Sequence, residues 1–248
     1  MKVWNPWKGC RECSEGCLNC PSICLVKKRG EESYLIEKTK RFAAPLEKLK
    51  NNEYRIKSGD AVEVCHNSDF FLNEADKWRE ECWKIIKKRS DVTFVIRVRR
   101  IERFYDCIPN DWGMGYENVV LACAVENQRA VDEKLPILRE LPVKYKAVLC
   151  QPLIEYVDME SYLEDISFVM VEGETGKNAR ALEFGWLANI RWQCVNTATN
   201  FVFRQCGSNF IKDGHKYSYT VREQIIQAKK FDMNYYTETG VHVLIHHA

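Results

Sequence analysis

No run of 18 apolar residues occurs in this chain, so no membrane-spanning helix is expected. The opening Met-Lys-Val-Trp leads into polar sequence instead of the apolar stretch of a signal peptide, and a cytoplasmic location is the expectation. Charge of one sign is also missing: 37 Lys and Arg against 35 Asp and Glu leave +2, without the basic excess of nucleic-acid-binding domains. The short basic runs at Lys27 to Arg29 and Lys87 to Arg89 read as solvated faces, and "RVRRIERF" is the sole stretch favouring nucleic acid. Disordered or fibrous bias is absent, because 46% of residues are hydrophobic and 29% charged, a globular composition.

What is present is size, periodicity and cysteine. At 248 residues the chain is long for an ordinary domain but suits a single α/β barrel, and one domain over 1–248 is expected, with a loop at 9–24 set apart by composition. Short runs rich in Val, Ile and Phe at 61–65, 92–98, 119–125, 146–150, 167–171 and 200–204 read as buried strands. Helical segments separate them at Asn73 to Arg89, Gln128 to Leu141 and Glu183 to Asn196. The first carries Ala75, Trp78, Cys82, Ile85 and Ile86 along one side, the spacing of a core face. "SYLIEKTKRF" suggests an irregular hairpin, and the terminal "VHVLIHH" a last strand whose His242, His246 and His247 face solvent. Alternating buried strands and helices imply parallel pairing through right-handed crossovers, hence a (β/α) TIM-barrel-like fold, as a partial or complete parallel barrel.

Polar residues gather where these strands end: His66 to Asp69, Arg97 to Arg100, Glu126 to Gln128, Gln151, Glu172 and Glu174, and Arg204 with Gln205. In parallel barrels the carboxyl ends of the strands form the active-site face. Acids and amides directly beside apolar sequence there are costly unless they have partners, which favours a functional site.

Of twelve cysteines, Cys65, Cys82, Cys107, Cys123, Cys150, Cys194 and Cys206 are scattered and read as small buried hydrophobes. The other five, Cys10, Cys13, Cys17, Cys20 and Cys24, fall within "CRECSEGCLNCPSIC", which packing does not explain. A structural zinc site would use "CREC" and "CLNC" as knuckles, yet three residues separate them where roughly 15 to 20 are usual. A ferredoxin-type cluster held by four thiolates needs spacings that this run lacks. A third possibility is a 4Fe–4S cluster held by three thiolates, one iron being left for a non-protein ligand. Cys13, Cys17 and Cys20 have the Cys-x3-Cys-x2-Cys spacing that resembles the radical S-adenosylmethionine (SAM) enzymes.

A narrower resemblance spans most of the chain. "WNPWKGCRECSEGCLNC" is similar to the opening of the phage-type three-Cys-motif family, a domain-of-unknown-function family within the radical SAM superfamily, patterned Trp-Asn-Pro-x-x-Gly-Cys-x-x-x-Ser-x-Gly-Cys-x-x-Cys. "NSDFF", "VENQRAVDEKLP", "QPLIEYVDM", "VEGETGKNAR" and "FRQCG" continue it in order. The frame from Trp4 to Gly9 favours Cys10, Cys17 and Cys20 as ligands, with Cys13 the rival to Cys10. The resemblance implies a radical SAM barrel carrying a 4Fe–4S cluster and S-adenosyl-L-methionine, reduced by a donor such as flavodoxin or ferredoxin. Asp69, which follows an early strand, is the candidate for the SAM amino group, and Asn127 and Gln128 are candidates for its ribose, each with a structural alternative as a helix cap or barrel-rim hydrogen bond. Among named activities the chain is similar to queuine lyase, which would release 7-aminomethyl-7-deazaguanine in queuosine salvage. For the N–H edge of such a queuine-like deazapurine, Glu126, Gln151, Glu172 and Glu174 could act as acceptors. Another small-molecule substrate, or a closed iron–sulfur electron-transfer module, stays open. The chain departs from the family pattern at strand ends: Val98, Arg99 and Arg100 replace Thr-Lys-Arg, Gln151 replaces Glu, Glu172 replaces Gly, Arg204 replaces Lys, and Pro21 replaces an aromatic.

Overall fold

The computed structural model of the protein describes residues 1–23 and 35–237. Its strands are β1 (Lys2–Trp4), β2 (Trp7–Lys8), β3 (Glu37–Lys38), β4 (Ala61–Val64), β5 (Thr93–Val98), β6 (Val119–Ala124), β7 (Tyr145–Cys150), β8 (Ile166–Glu172), β9 (Leu182–Glu183), β10 (Asn200–Gln205), β11 (Asn209–Lys212) and β12 (His215–Ser218). The helices are α1 (Asp76–Lys88), the single turn α2 (Phe104–Cys107), α3 (Gln128–Glu140), α4 (Phe184–Asn196) and α5 (Val221–Phe231). A seven-stranded parallel sheet in the order β1-β4-β5-β6-β7-β8-β10 forms a half-barrel. The fold is therefore mixed α/β with the parallel pairing expected from the buried strand pattern.

Successive side chains on a strand point to opposite faces, and both faces here are apolar. Val64, Ile96, Leu121, Val148, Val169 and Phe201 belong to the core shared with the helices. Val95, Val120, Ala122, Ala147, Leu149, Met170 and Val202 line the other, inner face. Alanines at adjacent register positions, Ala122 and Ala147, keep that face low and leave room above it. The stripe on α1 packs as expected, with Cys82 and Ile86 fully buried. Asp76 in its first turn and Lys87 and Lys88 in its last complement the helix dipole. The scattered cysteines from Cys65 onward are all buried.

Several expectations need correction. In the segment expected as an irregular hairpin, Glu37–Lys38 pairs antiparallel with Trp7–Lys8 near the N-terminus, while Ser33 and Tyr34 lie outside the described residues. Strand β1 is too short to announce itself, yet it extends the main sheet beside β4 through Lys2 to Trp4. Helix α5, fixed by a reciprocal capping box between Thr220 and Glu223, follows a small sheet of β9, β11 and β12. Cys24 and "VHVLIHH" lie outside the described residues. No described helix is long and apolar enough to cross a membrane.

Candidate functional site

The cysteine loop leaves β2 through Gly9, whose φ of +86° is a left-handed conformation, and a Cβ there would lie 2.8 Å from the Leu35 carbonyl. A single 3-10 turn, Glu15–Cys17, follows, and Cys20 N–H then donates to the Cys17 carbonyl at 3.0 to 3.1 Å like its predecessor to Ser14. Long-range bonds seat the turn on the carboxyl ends of the main sheet. Gly16 N–H donates to Glu126 Oε1 (3.4 Å), Asn19 Nδ2 to Glu174 Oε2 (2.9 Å), and Arg180 Nη2 to the Glu15 carbonyl (3.0 Å). Arg100 Nη2 reaches the Arg11 carbonyl at 3.1 Å.

Within the loop Cys10 and Cys17 are buried, Cys20 is half-buried and Cys13 exposed. Burial pushes the Cys10 thiol up to about 11, with nearby Asp69 adding to the effect and Arg100 opposing it. The neighbouring Cys13 thiol holds the Cys17 thiol below its ordinary value against the cost of burial, and Arg99 acts in the same sense. Cys13 is in turn raised, by Cys17 beside it and by burial. The cysteines of the loop offer sulfur, the soft donor that suits zinc, Cu(I) or iron–sulfur clusters. Among the described residues no three His, Cys, Asp or Glu side chains already converge as ligands of a metal ion.

Beneath the loop the inner face changes from apolar to charged within one strand step. Arg97 stands two residues beyond Val95, Gln151 beyond Leu149, Glu172 beyond Met170 and Arg204 beyond Val202, so each shares the face of the apolar residue before it. Glu63 on β4 is the centre of this layer. It accepts from Arg97 Nη2 (2.6 Å) and Arg204 Nη1 (3.1 Å), and His66 Nδ1 lies 3.0 Å away. Burial opposes its charge, but Arg97, His66 and Arg204 outweigh it and hold the carboxyl well below its ordinary value. Arg204 also meets Glu172 at 3.2 Å, and Arg97 donates to the Gln151 side-chain oxygen. A cavity of about 160 Å³ opens here between Cys20, Arg97, Arg99, Gln151, Glu172 and Glu174.

Three buried polar atoms of its lining residues, Arg97 Nε, Arg99 Nη1 and Gln151 Nε2, make no hydrogen bond, and neither does Glu126 Oε2 behind Gly16. Buried polar groups are nearly always paired, and an unpaired set beside a cavity is the pattern of a ligand site. A match to a family described as "Protein of unknown function (DUF5131)" extends over residues 1–235. The chain belongs to this family. No curated protein and no solved structure matches it.

In this family member the cavity brings together Cys20, Gln151, Glu172 and Glu174 from the sequence-derived candidates, but not all of them. Glu174 is already engaged: its oxygens accept from Arg180 N–H (2.7 Å), Arg180 Nε (3.0 Å), Arg180 Nη2 and Asn19 Nδ2, which makes it the clamp of the cysteine loop. Glu126 sits behind Gly16, 1% exposed, with Arg99 and Lys134 each 3.8 Å from Oε2. Asp69 is fully buried and accepts from the Phe71 and Arg99 amides (3.0 and 3.2 Å) and from Arg100 Nη1 (2.6 Å), so a ligand ammonium would have to share those oxygens. Asn127 caps α3 by accepting from Ala130 N–H (2.9 Å). Gln128 bonds Asp132 and the Asp158 backbone and lines a separate open cleft.

Three residues of the site were missed in the sequence: Glu63, Asn19 and Arg180. Glu63 had a signal, since a carboxylate inside "AVEVC" demands a buried cation, and Arg97 lies on the next strand two residues beyond Val95, the register partner of Glu63. Asn19 and Arg180 sit in polar loops and gave none.

Proposed function

We propose that this protein is a radical SAM enzyme acting on a small molecule. The observation that carries the reading is the seating of a cysteine-rich loop on the carboxyl ends of parallel strands, directly above a cavity whose lining residues carry buried polar atoms without hydrogen bonds. Cys10, Cys17 and Cys20 are the proposed ligands of a 4Fe–4S cluster, with S-adenosyl-L-methionine beside it. Bound there, the pair supplies one-electron cleavage of SAM and hydrogen-atom abstraction from substrate. Glu174, Arg180 and Glu126 hold the loop in register with the sheet, and the Arg97–Glu63–Arg204 layer gives the cavity a rigid charged floor. Gln151 and Arg97, which line the cavity, each carry a buried donor that makes no hydrogen bond within the protein, while Glu172 contributes a carboxylate. Queuine supplies the complementary groups, a lactam carbonyl to accept and an N–H edge to donate, so a queuine lyase activity is the specific form of the proposal. A flavodoxin or ferredoxin would deliver the electron.

The test is anaerobic reconstitution, reduction, and addition of SAM with and without queuine. SAM-dependent 5′-deoxyadenosine supports the enzyme, and 7-aminomethyl-7-deazaguanine supports the lyase. Lack of both deoxyadenosine and any SAM-induced change in the cluster's EPR spectrum would refute the enzyme reading. A second reading, a closed four-thiolate electron-transfer site, is favoured by the contact between Cys13 and Cys17. Iron content separates the two: C13A keeps its cluster and C10A loses it if Cys10 is the third ligand, whereas a closed site loses its cluster in both.

A further inference from the structure

Among the described residues, the arginines along the strand ends each have a close counterion, with one exception. Arg97 has Glu63 at 2.6 Å, Arg100 has Asp69 at 2.6 Å, and Arg204 has Glu63 and Glu172 at 3.1 and 3.2 Å. Arg99, 11% exposed at its side chain, has Glu126 at 3.8 Å, beyond hydrogen-bond range, and Glu126 is shared at the same distance with Lys134. A buried guanidinium without an intimate counterion is costly and persists where another anion faces it.

The position of Arg99 shows where that anion would be. Its Nη2 donates to the Gln151 carbonyl at 2.7 Å, which fixes the group across the ends of β5 and β7. Its Nη1 is buried and makes no hydrogen bond, the nearest counterion oxygen being Glu126 Oε2 at 3.8 Å. A Cβ on Gly16 would lie 3.3 Å from that same nitrogen, so Nη1 sits directly under the turn that carries Cys17. Burial works against the charge, and Cys17, Glu126, Cys13 and Cys20 together more than offset it. Arg99 Nη1 therefore lies against the turn that carries the thiols, close enough for its charge to act on them.

We infer that Arg99 sets the reduction potential of a cluster held by this loop, through a fixed, incompletely neutralised positive charge beneath its thiolates. This rests on the iron–sulfur reading above. Reduction adds one negative charge, so a nearby cation favours the reduced state and raises the potential; charge and hydrogen bonding at the sulfurs are the protein's means of tuning such clusters. Arg99 is a positioning and tuning residue, not one that touches substrate. Glu126 is its counterweight and acts in the opposite sense.

The experiment is a redox titration of the reconstituted protein, wild type beside R99M, R99K and E126Q, after iron content has been measured. The expected result is a fall of about tenfold in the reduced-to-oxidised ratio of R99M at fixed potential, which is 59 mV for a one-electron couple. R99K keeps the charge and is expected to lose less than half of that shift. A R99M shift below half the expected value, or a R99K shift equal to that of R99M, would overturn the inference. If R99M holds no cluster, E126Q decides: a raised potential supports the inference and an unchanged or lowered one overturns it. A wild-type protein that binds no iron sinks the underlying iron–sulfur reading, a result distinct from an unshifted potential.

Discussion

Replacing Glu174 with Gln should release the cysteine loop without unfolding the protein. The carboxylate receives four donors, three from Arg180 and one from Asn19, and Arg180 in turn holds the Glu15 carbonyl. An amide can accept about half of these and turns its own N–H groups toward the Arg180 guanidinium. Hydrogen bonds to charged groups contribute about 1.5–3 kcal/mol, and the 29% exposure of the Arg180 side chain places this clamp toward the lower end, about 2 kcal/mol. That corresponds to a roughly 30-fold rise in the open population of residues 15–20. The assay is alkylation of the metal-free protein at fixed pH, read by mass spectrometry at Cys17 and Cys20, with amide exchange over the same residues. The buried Cys123 and Cys150 serve as the internal control, since they label only when the sheet opens. N19A, which removes one donor, should give a smaller acceleration of about fivefold. Acceleration below about threefold at Cys17 in E174Q, or equal acceleration at Cys123, would refute the clamp.

Glu63 should dominate the acid limb of stability. Its folded value lies below the ordinary 4.5, so its contribution is present above that value and is lost as pH falls toward the folded one. Urea midpoints of the wild type should drop between about pH 5 and pH 3. E63Q should be lower at pH 7 by roughly 3 kcal/mol, the cost of unpairing Arg97, with the gap narrowing in acid. A constant gap across pH would contradict this. Gly173 is a second test: a Cβ there would lie 2.3 Å from the Cys206 carbonyl and 2.7 Å from Gly207 N, both backbone. G173A should lose about 3 kcal/mol or more in a denaturant melt. In contrast, G185A in α4 meets nothing within 4 Å and should be neutral or gain up to about 1 kcal/mol.

The parts of this fold legible in the sequence are those whose signal is local. Strands β4 to β8 and β10 are apolar runs of four to seven residues buried on both faces, and α1 carries a full stripe, so periodicity finds them. Strand β1 is three residues long, and its membership of the sheet is decided by Val64 and its neighbours sixty positions away. The candidate site divides in the same way. Gln151, Glu172 and Arg97 follow from reading strand ends, because a polar residue one step beyond an apolar inner-face residue must meet the cavity. The engagement of Glu174 by Arg180 and the enclosure of Glu126 behind Gly16 depend on loop conformation, which residue types alone do not specify. Asn127 shows the ambiguity directly: Asn before a helical run is as good a cap as it is a ligand, and here its oxygen caps α3.

The bonds that seat the cysteine turn span 110, 155 and 165 residues of sequence. During synthesis, therefore, the thiols leave the ribosome long before Glu126, Glu174 and Arg180 exist to shelter them. The turn that is built first is finished last. Any metal group that the turn carries is enclosed by Glu126, Glu174 and Arg180 only after nearly the whole chain has emerged.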